Sequence, residues 1–121
     1  MTRIAVPLYD PGAAVACSLD DADVPARMAT IERLRHAAAS IDRTEHGLVL
    51  RFGPGGGVDD EVARFARDEK RCCGFFGFAV DREGDDLVLR WDVPPTAGPV
   101  LDRLVAYFSG TGDIEDLRGL L

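Results

Sequence analysis

Residues 68–78 read DEKRCCGFFGF and join the end of a predicted helix to the start of a predicted strand. Two of the chain's three cysteines, Cys72 and Cys73, lie side by side in this segment. Gly74 follows them, and glycine commonly ends a helix because it adopts the left-handed backbone conformation found there. The functional prediction depends on whether the two thiols bind a ligand or only fill the core.

The residues before the cysteines predict a helix that begins near Asp59. Acidic residues at its start and Lys70 and Arg71 in its last turn suit the helix dipole. Its inward face is predicted from residues spaced three and four apart, which are Val62, Phe65, Ala66, Glu69, Cys72 and Cys73.

Glu69 is the unusual member of this face, because a buried carboxylate needs a partner. It precedes the two thiols by three and four positions, and side chains at these spacings on a helix are neighbours. The sequence leaves two partners open. One is an arginine such as Arg27, in a salt bridge, and the other is an ion bound between Glu69 and the thiols.

The remaining elements predict an α+β fold. We expect a buried strand at 13–18, an amphipathic helix at about 23–41, a strand at 48–52, a hairpin at 76–93 and a final helix at about 97–108. The order β-α-β-α-β-β-α predicts a two-layer sandwich in which the helices cover one face of a four-stranded sheet. Because a hairpin follows strands that are connected through helices, we expect the sheet to be mixed.

A length of 121 residues suits one domain. We place this α+β domain at 13–109, between an N-terminal arm at 1–12 and a C-terminal tail at 110–121. The tail is either a frayed helical turn or a contact for a second copy of the chain, which leaves a homodimer open.

The net charge of −7 disfavours nucleic acid and anionic membranes as partners, since both attract basic surfaces. No apolar run approaches the roughly 20 residues that cross a bilayer, and the first residues do not resemble a signal peptide. We therefore expect a cytoplasmic protein whose thiols stay reduced. An odd number of cysteines also disfavours a disulfide framework.

Cys17 lies at the end of the first predicted strand and is a third candidate ligand. Three thiolates and a carboxylate suit a soft or borderline ion such as mercury, arsenite or zinc. The paired C-x₂₋₄-C spacing of structural zinc sites is absent, and so is a C-x-x-C redox motif. We therefore predict a site for mercury or arsenite first, with zinc less favoured. The predicted metal ligands are Cys17, Cys72, Cys73 and Glu69.

Three alternatives use the same residues. In an organometal lyase, two thiolates would hold the metal of a small organometal, such as an organomercurial, while Glu69 protonates the departing carbon. In a thiol redox protein, Cys72 and Cys73 would form transient disulfides with Cys17. In an interaction domain, the cysteines would only fill the core, as free cysteines often do.

Four parts of the chain also carry a resemblance to a known family: residues 17–19, Arg27, residues 48–52 and the block EKRCCGF at 69–75. They resemble a small bacterial domain with a lone cysteine, a helix that contains an arginine, and a Glu-x-x-Cys-Cys-Pro-Phe block. That domain is found alone or behind the DNA-binding region of mercury-type (MerR class) regulators, often in heavy-metal or arsenic resistance settings. The resemblance covers about 13–109, although Gly74 stands where proline is usual. It implies a thiol-based metal or metalloid role for the three cysteines, with Glu69 as the nearby carboxylate.

Overall fold

The structure, a computed structural model, describes residues 23–55, 57–72 and 76–113, with Cys72 described by its backbone alone. The strand expected at 13–18, the arm at 1–12 and most of the tail lie outside these residues. The described elements are α1 (Val24–Ala37), β1 (Ala38–Arg43), β2 (Gly47–Phe52), α2 (Val58–Cys72), β3 (Gly77–Glu83), β4 (Asp86–Asp92), a 3₁₀ turn (Pro95–Ala97) and α3 (Gly98–Phe108). The predicted α+β class is confirmed.

The four described strands form one sheet in the order β1-β2-β4-β3, and every neighbouring pair is antiparallel. The prediction of a mixed sheet is therefore wrong. Helix α2 does connect two strands that run in the same direction, β2 and β3, as the prediction assumed. However, β4 lies between them and pairs antiparallel with both.

The first helix is shorter than predicted, because residues 38–43 form β1 instead of its last turn. Ala38 and Ile41 are three residues apart, which suits one face of a helix. In a regular strand they would point to opposite faces. The β1–β2 register shifts between Ala38 and Ser40, so Ala38 lies opposite Phe52 and Ile41 opposite Leu50. Because of this bulge, two apolar residues of β1 that are three positions apart lie on the same face of the sheet, as they would on one face of a helix.

One face of the sheet forms the core with the helices. Leu48, Leu50 and Phe52 of β2 lie opposite Trp91, Leu89 and Leu87 of β4, and all six side chains are buried. They belong to one cluster with buried residues of α1, α2 and α3. In the sequence, Leu48, Leu50 and Phe52 alternate with other residues, as do Leu87, Leu89 and Trp91, and the buried faces predicted from this alternation are confirmed. The same alternation of Phe76, Phe78 and Val80 predicts a buried Val80, but Val80 lies on an edge strand and is 36% exposed.

None of the helices in the described ranges is long and apolar enough to cross a membrane.

Candidate functional site

Of the four predicted metal ligands, Glu69 is the one whose side chain the structure describes. Cys17 and Cys73 lie outside the described residues, and Cys72 is placed as the last residue of α2. Within the described part of the chain, which excludes all three thiols, no three His, Cys, Asp or Glu side chains are grouped as a metal site requires. The meeting of the three thiols stays a prediction.

Glu69 and Arg27 form a buried ion pair that joins α2 to α1. The Nη1 atom of Arg27 donates a hydrogen bond to Oε2 of Glu69, and the two side chains are 12% and 1% exposed. The salt bridge that the sequence left open is therefore confirmed. Val24, Met28 and Ile31 of α1 are buried, so core packing holds the helix that carries Arg27 in place.

Burial raises the pKa of the Glu69 carboxyl above its usual value of 4.5, because removal from water disfavours the charged form. The charge and the hydrogen bond of Arg27 lower the pKa, and the neighbouring Asp68 raises it slightly. Desolvation is the largest of these effects, so the net direction is upward. A carboxyl with a raised pKa retains its proton to higher pH than an exposed carboxyl does, which suits a group that exchanges protons with a ligand.

Helix α2 places this carboxylate one turn before Cys72. It extends without a break from Val58 to Cys72, so Glu69 and Cys72 occupy positions i and i+3 on the same helix face. The close spacing of a carboxylate and a cysteine in the sequence is therefore retained in the fold.

Lys70, the only lysine of the chain, lies two residues before the paired cysteines and bonds to a residue that follows them. Its Nζ atom donates a hydrogen bond to the main-chain carbonyl oxygen of Phe76, at 2.7 Å. Because Phe76 directly precedes β3, this bond ties the last turn of α2 to the start of the next strand. The bond therefore joins the two residues that flank 71–75 in the sequence. From the sequence, Lys70 was predicted only to interact favourably with the helix dipole. A hydrogen bond to a residue six positions later leaves no periodic pattern in the sequence.

Packed aromatic rings support the same end of α2. The ring of Trp91 lies 5.4 Å from Phe65 of α2, 5.1 Å from Phe76 and 5.1 Å from Phe78, measured between ring centroids. Phe65, Phe76 and Trp91 are almost fully buried. These rings belong to the core, and they fix the position of α2 relative to β3 and β4.

A small groove of about 50 Å³ opens between α1 and α2 beside the ion pair. It is charged, and its lining residues are Arg27, Thr30, Arg33, Glu61, Arg64, Phe65 and Asp68. A larger cleft of about 470 Å³ lies between α1, α3 and the turn after α3. Glu69, the predicted ligand whose side chain is described, does not line that cleft, so the ion-pair end of α2 is the candidate site.

Comparisons with protein-family models, with curated proteins and with solved structures give no match. The resemblance to the Glu-x-x-Cys-Cys-Pro-Phe domains stays a prediction.

Proposed function

We propose that this protein binds a soft heavy-metal or metalloid ion, mercury or arsenite first, through the thiols of Cys17, Cys72 and Cys73. The observation that carries the proposal is a buried carboxylate, Glu69, held one helical turn before Cys72. The bond from Lys70 to Phe76 supports it, because a ligand site needs a restrained geometry and this bond joins the residues that flank the cysteine segment in the sequence.

The chemistry of the cysteine position favours a bound cation. The C-terminus of a helix carries a partial negative charge, which disfavours an unaccompanied thiolate at the end of α2. A thiophilic cation removes this disadvantage, because it binds the thiolate directly. The proposed setting is the cytoplasm, where thiols stay reduced. The proposed ligand is a free ion or a small organometal, without nucleic acid or membrane as partners.

Glu69 would serve this site as an additional ligand or as the acceptor of a thiol proton. Its raised pKa supports the second role, since cysteines must lose their protons before they bind a metal. Its burial beside Arg27 supports a fixed position for the carboxylate.

Glu69 also supports a second candidate function, cleavage of a small organometal. Two thiolates would bind the metal, and protonated Glu69 would donate its proton to the carbon as the metal–carbon bond breaks. The products would be a hydrocarbon, a thiolate-bound metal and an ionised Glu69. The raised pKa of this carboxyl favours such a general acid over an ordinary surface carboxylate.

The test is an anaerobic titration of the reduced protein with mercury, arsenite and zinc, monitored through ultraviolet thiolate-to-metal absorption. We expect stoichiometric binding of mercury or arsenite, and a loss of about tenfold or more in affinity in each of Cys17→Ser, Cys72→Ser and Cys73→Ser. Arg33→Ala, a change on the exposed side of α1, is the control and should bind as the unaltered protein does.

Absence of binding by the unaltered protein would refute the proposal, and so would unchanged binding in all three serine variants. Release of a hydrocarbon from an organomercurial would distinguish the lyase from a binding protein.

A further inference from the structure

The cleft of about 470 Å³ between α1, α3 and the turn after α3 has a volume typical of small-molecule sites. The turn that forms one of its walls is tightly built. The main-chain amides of Thr111 and Gly112 both donate to the carbonyl oxygen of Ala106, at 2.9 and 3.0 Å. A Cβ atom at position 112 would lie 3.0 Å from the main-chain nitrogen of Tyr107, so this close approach favours glycine. The cleft therefore has a fixed wall.

The hydroxyl group of Tyr107 is buried at this cleft without an acceptor for its proton. Tyr107 lines the cleft and is 1% exposed, and none of the described residues accepts a hydrogen bond from its hydroxyl. Burial raises the pKa of this hydroxyl above its usual value of 10.0, while Arg35 counteracts the shift by hydrogen bonding and by its charge. A guanidinium only donates hydrogen bonds, so Arg35 is not the missing acceptor. A buried donor without an acceptor indicates a bound molecule or an ordered water.

Three charged side chains lie around this hydroxyl, and all three line the cleft. They are Glu32 and Arg35 of α1 and Asp113 after α3, and each of them shifts the pKa of the Tyr107 hydroxyl. The hydroxyl therefore lies at the base of the cleft, among its charged groups.

Arg35 and Glu32 keep their charges available for a ligand. The guanidinium carbon of Arg35 lies 5.0 Å from the centre of the Tyr107 ring. Such a cation–π contact uses the charge of the guanidinium and does not require its N–H donors. Neither Arg35 nor Glu32 belongs to an ion pair among the residues that the structure describes.

These groups together select a ligand that carries both signs of charge. A carboxylate suits the N–H donors of Arg35 and the hydroxyl proton of Tyr107, because it accepts several hydrogen bonds at once. A simple anion would also meet the negative charges of Glu32 and Asp113. A simple cation would leave the donors of Arg35 and Tyr107 unused. A small molecule with a carboxylate and an ammonium group complements both halves of the cleft.

We propose that this cleft binds a small zwitterion of the amino acid class, with its carboxylate on Arg35 and the Tyr107 hydroxyl and its ammonium group on Glu32. The hydroxyl is buried beside Arg35, so the flexible stem of Arg35 must let the guanidinium shift for the carboxylate to reach both groups. The site uses none of the cysteines and is independent of the proposed metal binding.

The test is a nuclear magnetic resonance titration of the isotope-labelled protein with each of the standard L-amino acids in turn. We expect at least one to bind with a dissociation constant of about 1 mM or lower. The amide signals of residues 110–112 and the Nε–H signal of Arg35 should shift first. Two matched probes each lack one charge: the N-acetyl derivative of the bound amino acid lacks the ammonium group, and its amide lacks the carboxylate. Each should bind at least about tenfold more weakly.

Substitutions separate the roles of the three groups. Arg35→Met should weaken binding by about tenfold or more, and Glu32→Gln by about threefold or more. Tyr107→Phe should weaken binding by about threefold or more without lowering the stability of the protein alone, because its hydroxyl has no acceptor to lose. The control is Arg33→Met, since Arg33 is on the same helix but pairs with Glu61, and it should leave the affinity unchanged.

Absence of binding by every amino acid would overturn the proposal and leave an ordered water as the partner of Tyr107. Signal shifts confined to another part of the protein would overturn it too, and so would a folded Arg35→Met variant with unchanged affinity. If Arg35→Met does not fold, Tyr107→Phe and Glu32→Gln decide the matter, and unchanged affinity in both refutes the site. A failed titration with heavy-metal ions has no bearing on these outcomes.

Discussion

Among the described residues, two ion pairs join α1 to α2, and they differ mainly in their access to water. Arg27 and Glu69 are 12% and 1% exposed, whereas Arg33 and Glu61, with an Nε–Oε2 distance of 2.9 Å, are 57% and 31% exposed. In both pairs an arginine of α1 contacts a glutamate of α2. Water screens the exposed pair, so its net contribution to stability is small. The buried pair cannot lose one partner without leaving a charge in a nonpolar environment.

The largest expected effect follows from removal of one buried partner. Arg27→Met should lower the free energy of unfolding by about 3–5 kcal/mol, because it removes the cation of a buried ion pair. Arg27→Met/Glu69→Gln should recover most of this loss, since neither charge remains. The measurement is chemical denaturation at neutral pH. Equal stability of the single and the double variant would contradict the assignment of a strong buried pair.

The pH dependence of stability provides a second test of burial. The pKa of Glu69 is raised in the folded state, so the folded protein retains this proton to higher pH than the unfolded chain does. The stability that Glu69 contributes is therefore complete below its unfolded pKa of 4.5 and declines as the pH rises through the folded pKa. Relative to Glu69→Gln, the unaltered protein should lose stability as the pH increases from acidic to neutral. An opposite slope would show that the attraction of Arg27 outweighs desolvation.

An effect of intermediate size is expected at Lys70, an exposed residue whose ammonium bonds a partly buried carbonyl. Lys70→Met should lower the free energy of unfolding by about 1.5 kcal/mol, as is typical of a hydrogen bond from a charged group. The neighbouring Arg71 is exposed, and Arg71→Met should change stability by less than about 0.5 kcal/mol. Denaturation curves of the two variants make the comparison, and similar losses would argue against a specific role for the bond.

The smallest effect is expected for the exposed pair. Arg33→Ala should cost no more than about 1 kcal/mol at low salt, and the difference should shrink in about 1 M salt, where exposed charges are screened. Denaturation at two salt concentrations measures this. A loss of stability as large as that expected for Arg27→Met would contradict the difference in strength between the buried and the exposed pair.

The sequence predicted the parts of the fold in which a simple periodicity coincides with burial. Leu48, Leu50 and Phe52 alternate because β2 is a central strand with one face in the core. The stripe on α2 identified Glu69 as an inward carboxylate, and Arg27 was among its candidate partners. The general need of a buried charge for a counterion made that prediction possible.

Other features depend on information that periodicity lacks. The bulge between Ala38 and Ser40 gives β1 the spacing of a helix, so residues 38–43 were assigned to the preceding element. Strand β4 lies between β2 and β3 because it pairs with both of them. Local sequence patterns do not specify which strands pair. The exposure of Val80 follows from its edge strand and was missed for the same reason.

The bond between Lys70 and Phe76 has a practical consequence, because this chain contains a single lysine beside 13 arginines. An amine-selective reagent therefore has one side-chain target, and that target is the Nζ atom that bonds to the carbonyl oxygen of Phe76. The ammonium must leave the carbonyl oxygen before it reacts. The rate of labelling thus reports how often the bond between Lys70 and Phe76 breaks, and a change of this rate on addition of ions would report a ligand that affects this bond.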